Sequence, residues 1–243
     1  MHENLSREQI DTLDRDGFLV VKDVFTPAQM SELLDCWHDL KAAIHAGTSP
    51  LRRNARFVYG TLPAPLGQLY AHPSLLSRLH PLLGPDIAVY YNRLLVKDDE
   101  WNGAVAAHQD MPYFHGSIRK YAVFVPLTRF DKASGGLYML AGSHKMGFLG
   151  QGGTIDWRTY PQFPPVEAVL APGDICIMDF LTWHFSEDAL EAGERPVMQM
   201  VYQSADDGSH FGADFGTPSP LLACGQWRTE HFCRLGQHIS PDK

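Results

Sequence analysis

His108 and Asp110 lie two residues apart in the stretch Ala107-His108-Gln109-Asp110-Met111-Pro112-Tyr113-Phe114. On an extended strand that spacing points both side chains to one face. An imidazole and a carboxylate converging on one point are two of the three donors of a 2-His-1-carboxylate site. Such a site holds Fe(II) on one face and leaves the other positions open to substrate and oxygen. His184 is the candidate third ligand. The pair by itself is weak: with 12 His and 28 acidic residues in the chain, about one or two such matches arise by chance. Arg195, eleven residues beyond His184, strengthens it. A hairpin would carry Arg195 back beside the strand that bears His184, and a guanidinium has the planar fork to clamp a carboxylate. Oxidation of an unactivated C–H bond with Fe(II) calls for such a set: three ligands, an electron-donating 2-oxo acid, and a cation for that acid's distal carboxylate.

These residues need elements to position them. Ser6-Arg7-Glu8-Gln9 fits a capping box that starts a helix, which Asp16-Gly17 ends. Phe18–Val21 reads as a strand covered on both faces. Thr26-Pro27-Ala28-Gln29 starts a second helix, whose stripe of Met30, Leu33, Leu34, Trp37, Leu40 and Ile44 is core. Residues 46–65, with Arg52, Arg53 and Arg56, read as a loop with a short strand at Arg56–Tyr59; the arginines suit a solvated turn or a place near an acidic substrate. A short helix from His72-Pro73 ends at Gly84-Pro85. From there the hydrophobic period changes to two. Ile87–Tyr91 with Arg93–Lys97 forms one long strand or a bent pair. Ala122–Leu127, Gly136–Leu140, Val166–Leu170, Ile175–Phe180 and Val197–Gln203 are further strands. The predicted fold is α+β, mainly β: a jelly-roll core over about 86–205, buttressed by a helical part over about 1–85 and followed by an extension over 206–243, all in one domain. Arg93 and Lys97 fall on one face of their strand and point inward if the sheet alternates. Tyr113, Phe114, Trp157 and Trp183 are aromatic candidates for substrate contact, with packing as the alternative. His144 caps a turn. The glycine- and proline-rich segment 147–165 reads as a long irregular insert and a candidate lid.

Composition excludes several classes. A net charge of −8 disfavours nucleic acid and anionic membranes as partners, although a local basic pocket escapes that test. No apolar run is long enough to span a bilayer. The four cysteines show no CxxC spacing, so neither a zinc site nor a disulfide framework is indicated and a reducing cytoplasm is expected.

The chain resembles the phytanoyl-CoA dioxygenase family of Fe(II)/2-oxoglutarate oxygenases, which includes ectoine hydroxylases. Asp16-Gly17-Phe18-Leu19-Val20-Val21 before a capped helix is similar to the family's opening, and His108-Gln109-Asp110 to its metal motif. Gly135-Gly136-Leu137 with Gly142-Ser143-His144 resembles its central turn; His184-x-Ser186 with Arg195 resembles its distal histidine, serine and 2-oxoglutarate arginine. The family often carries Asn five residues after the distal histidine, where this chain has Ala189. The resemblance implies a double-stranded β-helix (cupin-like jelly roll). It implies Fe(II) held by His108, Asp110 and His184, with 2-oxoglutarate held through Arg195 and Ser186, and Arg93 and Lys97 are further candidate cofactor-binding residues facing the pocket. The implied reaction consumes oxygen, converts 2-oxoglutarate to succinate and carbon dioxide, and oxidises a free small molecule such as an amino acid derivative or secondary metabolite. Halogenases of this wider class have a small residue in place of the carboxylate, so Asp110 implies hydroxylation, with desaturation or cyclisation open. The rivals are a jelly-roll binding protein without turnover and a cupin-like metal-dependent isomerase. Substrate identity and oligomeric state are left open by the sequence.

Overall fold

A computed structural model describes residues 3–114, 116–150, 152–207 and 221–227. In chain order the helices are α1 (Arg7–Asp16), α2 (Pro27–His45) and α3 (Pro73–Leu83). The strands are β1 (Phe18–Val21), β2 (Arg52–Asn54), β3 (Phe57–Tyr59), β4 (Ile87–Lys97), β5 (Val105–His108), β6 (Lys120–Pro126), β7 (Leu137–Leu140), β8 (Pro165–Ala168), β9 (Ile175–Asp179), β10 (His184–Ser186), β11 (Arg195–Ser204) and β12 (Leu221–Cys224).

Local chemistry sets the helix ends. Ser6 and Thr26 both close capping boxes, with Gln9 and Gln29 reaching back to the cap backbone. His72 caps α3 by accepting from the Ser74 N–H at 3.2 Å. Gly17 ends α1 in the left-handed region, φ 84°. That glycine is also a joint. Its carbonyl accepts from the Thr182 hydroxyl at 2.8 Å and from the Asp179 N–H at 2.8 Å. A Cβ there would sit 2.4 Å from Thr182 Oγ1 and 2.5 Å from His144 Nδ1.

The strands form two antiparallel sheets. The larger runs β1-β9-β6-β11-β4-β3-β2, with β12 also on β4; the smaller runs β5-β10-β7-β8. Alternation sorts the large sheet into two faces. Val123, Val125, Ile175, Ile177, Met198 and Met200 pack with the helices. Ala122, Phe124, Cys176, Met178, Val197 and Val201 pack inward with Leu137, Met139 and Ala168 of the small sheet. The outer face of the small sheet is covered by the insert, through Ile155, Trp157, Tyr160 and Phe163. The result is a jelly roll whose interior lies between the sheets.

The long strand β4 is continuous, but its register against β11 slips: Val201 pairs with Tyr91 and Tyr202 with Val89, leaving Tyr90 extra. This bulge inverts the alternation. Ile87 and Val89 face the helices, and beyond the bulge so do Leu94 and Val96. Arg93 and Lys97 therefore turn to the interior because of one inserted residue.

The structure corrects several boundaries. The N-terminal part carries the two strands expected there, β1 and, near Arg56–Tyr59, β3; the unexpected strand is β2, which pairs with β3 as a hairpin that extends the sheet edge beside β4. The short strands β5 and β10, which carry two site histidines, have too few residues to show a period. Of the 206–243 extension, 206, 207 and 221–227 are described, and β12 adds to β4 there; the expected disorder of the last residues lies outside the described residues. Among the described residues no helix is long and apolar enough to cross a membrane.

Candidate active site

β5 and β10 are neighbours in the small sheet, and His108 pairs with His184 across that ladder. Their ring centroids lie 4.3 Å apart. Asp110 is not on the strand. It takes helical dihedrals, φ −71° and ψ −38°, at the start of the 3-10 turn Met111–Tyr113. Strand alternation thus does not align the His108–Asp110 pair; the strand ends at His108 and the turn folds the carboxylate back. Asp110 Oδ1 lies 3.4 Å from His108 Nε2 and 3.8 Å from His184 Nε2. One ligating atom from each of the three residues lies within 4.8 Å of the others.

Both rings are set by their outer nitrogens. His108 Nδ1 lies 2.8 Å from the Ala106 carbonyl and His184 Nδ1 3.0 Å from the Thr182 carbonyl. A carbonyl only accepts, so Nδ1 carries the proton and each Nε2 lone pair faces Asp110. Burial, aided by His108, drives the His184 imidazole down to about 4, keeping it neutral near pH 7. Burial would lower His108 too, but its hydrogen bond to Asp110 and that residue's charge prevail and raise it. Burial opposes ionisation of Asp110, yet His184, His108 and Arg93 outweigh it and hold the carboxyl at about 2. Its Oδ2 is buried with no hydrogen-bond partner among the described residues. An ionised, buried carboxylate oxygen left unpaired beside two convergent imidazole lone pairs fits a divalent first-row metal.

Gln109, between His108 and Asp110, is buried. Its amide donates to the Leu181 carbonyl at 2.8 Å and the Gly147 carbonyl at 2.9 Å, and its oxygen accepts from the Leu149 N–H at 3.0 Å. It ties the turn that carries Asp110 to the loop before His184 and to the start of the insert. Its place between His108 and Asp110 is the only sequence signal for it.

A second cluster lies on the large sheet. Arg195 is the first residue of β11 and pairs in register with Lys97. It therefore does not return beside the strand of His184; it faces that strand from the opposite sheet. Its guanidinium sits 4.4 Å from the Phe130 ring centroid, is 9% exposed, and makes no ion pair among the described residues. Its Nε has no hydrogen-bond partner among the described residues. Burial alone lowers this guanidinium to about 9. Lys97 spans the two sheets, donating to the Ser186 hydroxyl and the Gly135 carbonyl, each at 3.1 Å, and to the Glu187 carbonyl. Burial first, and Arg195 second, bring its ammonium down to about 7. Gly135, φ 72°, lets this crossing form: a Cβ would lie 2.9 Å from Glu187 O and 3.0 Å from Lys97 Nζ. Ala189, where the resembled family often has Asn, is held by its backbone N–H to the Asn102 carbonyl at 3.1 Å.

One cavity joins both clusters. His108, Asp110, His184, Ser186, Lys97, Arg195 and Arg93 line it together with Arg56, Phe57, Trp101 and Gln199. Gln199 could have been inferred from β11 alternation with Arg195, while Arg56 and Trp101 arrive through tertiary contacts. The four aromatic candidates are not among its lining residues. Trp183 is 1% exposed, on the far side of β10 from His184, with Tyr160 and Phe163 edge-on against it. Trp157 stacks on Phe185 at 5.3 Å and 10°. Phe114 packs among Tyr90, Tyr91 and Phe180. Tyr113 is half exposed; its ring centroid lies 6.4 Å from that of His108, and its hydroxyl accepts from the Gly153 N–H at 2.7 Å.

This arrangement agrees with what comparison shows. The profile described as phytanoyl-CoA dioxygenase (PhyH) matches residues 13–197. The chain belongs to the phytanoyl-CoA dioxygenase family. An ectoine dioxygenase of Streptomyces coelicolor is 25% identical over 183 residues, covering 70% of this chain and 61% of that protein. The match thus spans less than two thirds of that relative. An ectoine dioxygenase of Bordetella parapertussis is 24% identical over 238 residues, covering 84% of this chain and 77% of its own length. The crystal structure of the non-heme alpha ketoglutarate dependent epimerase SnoN from nogalamycin biosynthesis superimposes with a TM-score of 0.73 at 20% identity, covering 93% of this chain and 95% of that one. Family membership and fold agree with the His108, Asp110 and His184 cluster, which fits a metal, and with a buried cavity arginine that makes no ion pair among the described residues.

Proposed function

We propose that this chain is a single-domain, cytoplasmic oxygenase that hydroxylates a free small molecule at the expense of oxygen and 2-oxoglutarate, releasing succinate and carbon dioxide. One observation carries the reading. A three-donor cluster that fits a metal and a buried guanidinium with no acidic partner among the described residues open into one cavity. A metal-binding isomerase or a carbohydrate-binding jelly roll has no use for that second feature. His108, Asp110 and His184 would hold Fe(II) through Nε2, a carboxylate oxygen and Nε2. The bound metal with 2-oxoglutarate would supply the oxidising equivalent for C–H cleavage. Arg195 would pair with the distal carboxylate of 2-oxoglutarate, and the Ser186 hydroxyl, fixed by Lys97 at 3.1 Å, would donate to the same group. The apolar walls Phe130, Leu137 and Val197 exclude water around that ion pair and strengthen it. Asp110 occupies a ligand position, which favours hydroxylation over halogen transfer.

The test is 2-oxoglutarate turnover. Purified protein with Fe(II) and oxygen should release succinate, slowly alone and faster with its substrate. Omitting oxygen or Fe(II) should abolish release. An isomerase would convert substrate without consuming oxygen, and a binding protein would release no succinate at all; either result refutes the proposal.

A further inference from the structure

Two short motifs of the sequence, Asp16-Gly17 and Gly142-Ser143-His144, take no part in the proposed chemistry. The fold brings them together. The Gly142 N–H donates to the Asp16 carbonyl at 2.8 Å, and His144 Nε2 lies 3.1 Å from the Asp14 carbonyl. The C-terminus of α1 and the turn after β7 thus form one platform. The loop that leads into His184 is seated on it.

Each residue of that loop is fixed by different partners. The Leu181 N–H donates to Asp179 Oδ1 and its carbonyl accepts from Gln109, each at 2.8 Å. The Thr182 hydroxyl donates to the Gly17 carbonyl at 2.8 Å. The Trp183 N–H donates to the Ser143 hydroxyl at 2.9 Å, and its carbonyl accepts from the Leu140 N–H at 2.9 Å. Thr182 and Ser143 are fully buried, so neither hydroxyl can trade its partner for bulk water. Thr182 makes a second, more telling contact, since its carbonyl accepts from His184 Nδ1 at 3.0 Å. One residue therefore holds α1 by its hydroxyl and the imidazole by its carbonyl. His184 is the first residue of a strand of three, so the direction of its side chain depends on the backbone that precedes it. His108 differs, because its ring is set by Ala106 of its own strand. Partners that orient a metal-binding imidazole typically change metal affinity by about tenfold to a hundredfold when removed.

We propose that Thr182 and Ser143 are positioning residues for His184. Anchored on the C-terminus of α1 and on the turn after β7, they fix the backbone at 182 and 183 and so aim His184 Nε2 at the point it shares with His108 and Asp110. Both act through His184, and neither is a metal donor. The inference rests on the metal-binding reading of those three residues.

The experiment titrates Ni(II) into the full, metal-free chain by calorimetry at one fixed, mildly alkaline pH. Thr182→Val keeps the shape of the side chain and loses the hydroxyl. The Gly17 carbonyl still accepts from the Asp179 N–H at 2.8 Å, so the end of α1 stays satisfied. This variant should bind Ni(II) roughly tenfold or more weakly than the parent. Ser143→Ala, which takes the acceptor from the Trp183 N–H, should weaken binding as well. Thr182→Ser restores the hydroxyl and should restore the affinity. Leu33→Ala is the control for stability alone: Leu33 is buried on α2 in the helix-side core, and its loss should lower Tm with Ni(II) affinity unchanged. If Thr182→Val and Ser143→Ala bind Ni(II) as the parent does, or lose no more affinity than Leu33→Ala, both residues only pack and the inference is overturned. Failure of the underlying reading looks different: the parent itself does not take up one Ni(II) per chain. Melting curves show whether each variant folds; if Thr182→Val does not, Ser143→Ala decides by the same criterion.

Discussion

Replacing Arg195 by Met should have two effects of opposite sign. The side chain is buried, its Nε has no hydrogen-bond partner among the described residues, and its charge is disfavoured enough to bring the guanidinium down to about 9. Without co-substrate it is an uncompensated buried cation. Met has similar length and no charge, and it can lie on Phe130 as the guanidinium does. The 2-oxoglutarate-free variant should therefore be more stable than the parent by about 1 kcal/mol, a rise in Tm of roughly 2–4 °C for a chain of this size. With co-substrate the sign reverses, because a dicarboxylate would be left with one buried, unpaired end. Loss of one partner of a buried charge pair costs about 2–5 kcal/mol, or roughly thirtyfold to several-thousandfold in Kd. Calorimetry of 2-oxoglutarate into Ni(II)-loaded protein reads the second effect, and scanning calorimetry without ligand reads the first. Arg195→Lys should fall between, since an ammonium keeps the charge but not the fork. If Arg195→Met melts below the parent and binds 2-oxoglutarate equally well, the arginine is a structural residue and the anion pocket lies elsewhere.

Metal affinity should fall as pH is lowered through the raised His108 titration, because the ion must displace that proton, while His184 at about 4 stays neutral. A Ni(II) affinity that is flat from about pH 8 to 6 contradicts this. In metal-free protein the same shift acts the other way. A raised folded pKa contributes stability in full below the unfolded value of about 6.5 and loses it as pH rises through the folded one. Gly17→Ala, at φ 84° with a Cβ 2.4 Å from Thr182 Oγ1, should destabilise by about 1–3 kcal/mol in urea unfolding, and the loop leading to His184 should shift with it. Trp157→Ala removes the stack on Phe185 and should cost about 1–3 kcal/mol of stability with the ratio of succinate to product unchanged; a changed ratio would restore the lid reading of the insert.

How much of this was legible in the chain differs element by element. The capping boxes at Ser6 and Thr26 and the Met30–Leu40 stripe are local chemistry, and they form where the residues place them. The donor types His108, Asp110, His184 and Arg195 are likewise written in the sequence, because metal and carboxylate recognition restrict which side chains can serve. Their directions are not. Asp110 reaches His108 through a turn rather than a strand, since β5 stops at His108, two residues before it. Arg195 shares its cavity with Ser186 from the opposite sheet because β11 pairs with β4 and β6, a choice between distant partners that no local pattern encodes. The bulge at Tyr90 decides which face Arg93 and Lys97 occupy, and one extra residue in a period of two cannot be seen without the partner strand. Trp157 and Trp183 mark the same limit from the other side. Aromatic type made them candidates for substrate contact, but the small sheet has two faces, and packing against Phe185, Tyr160 and Phe163 holds both on the one turned away from the metal.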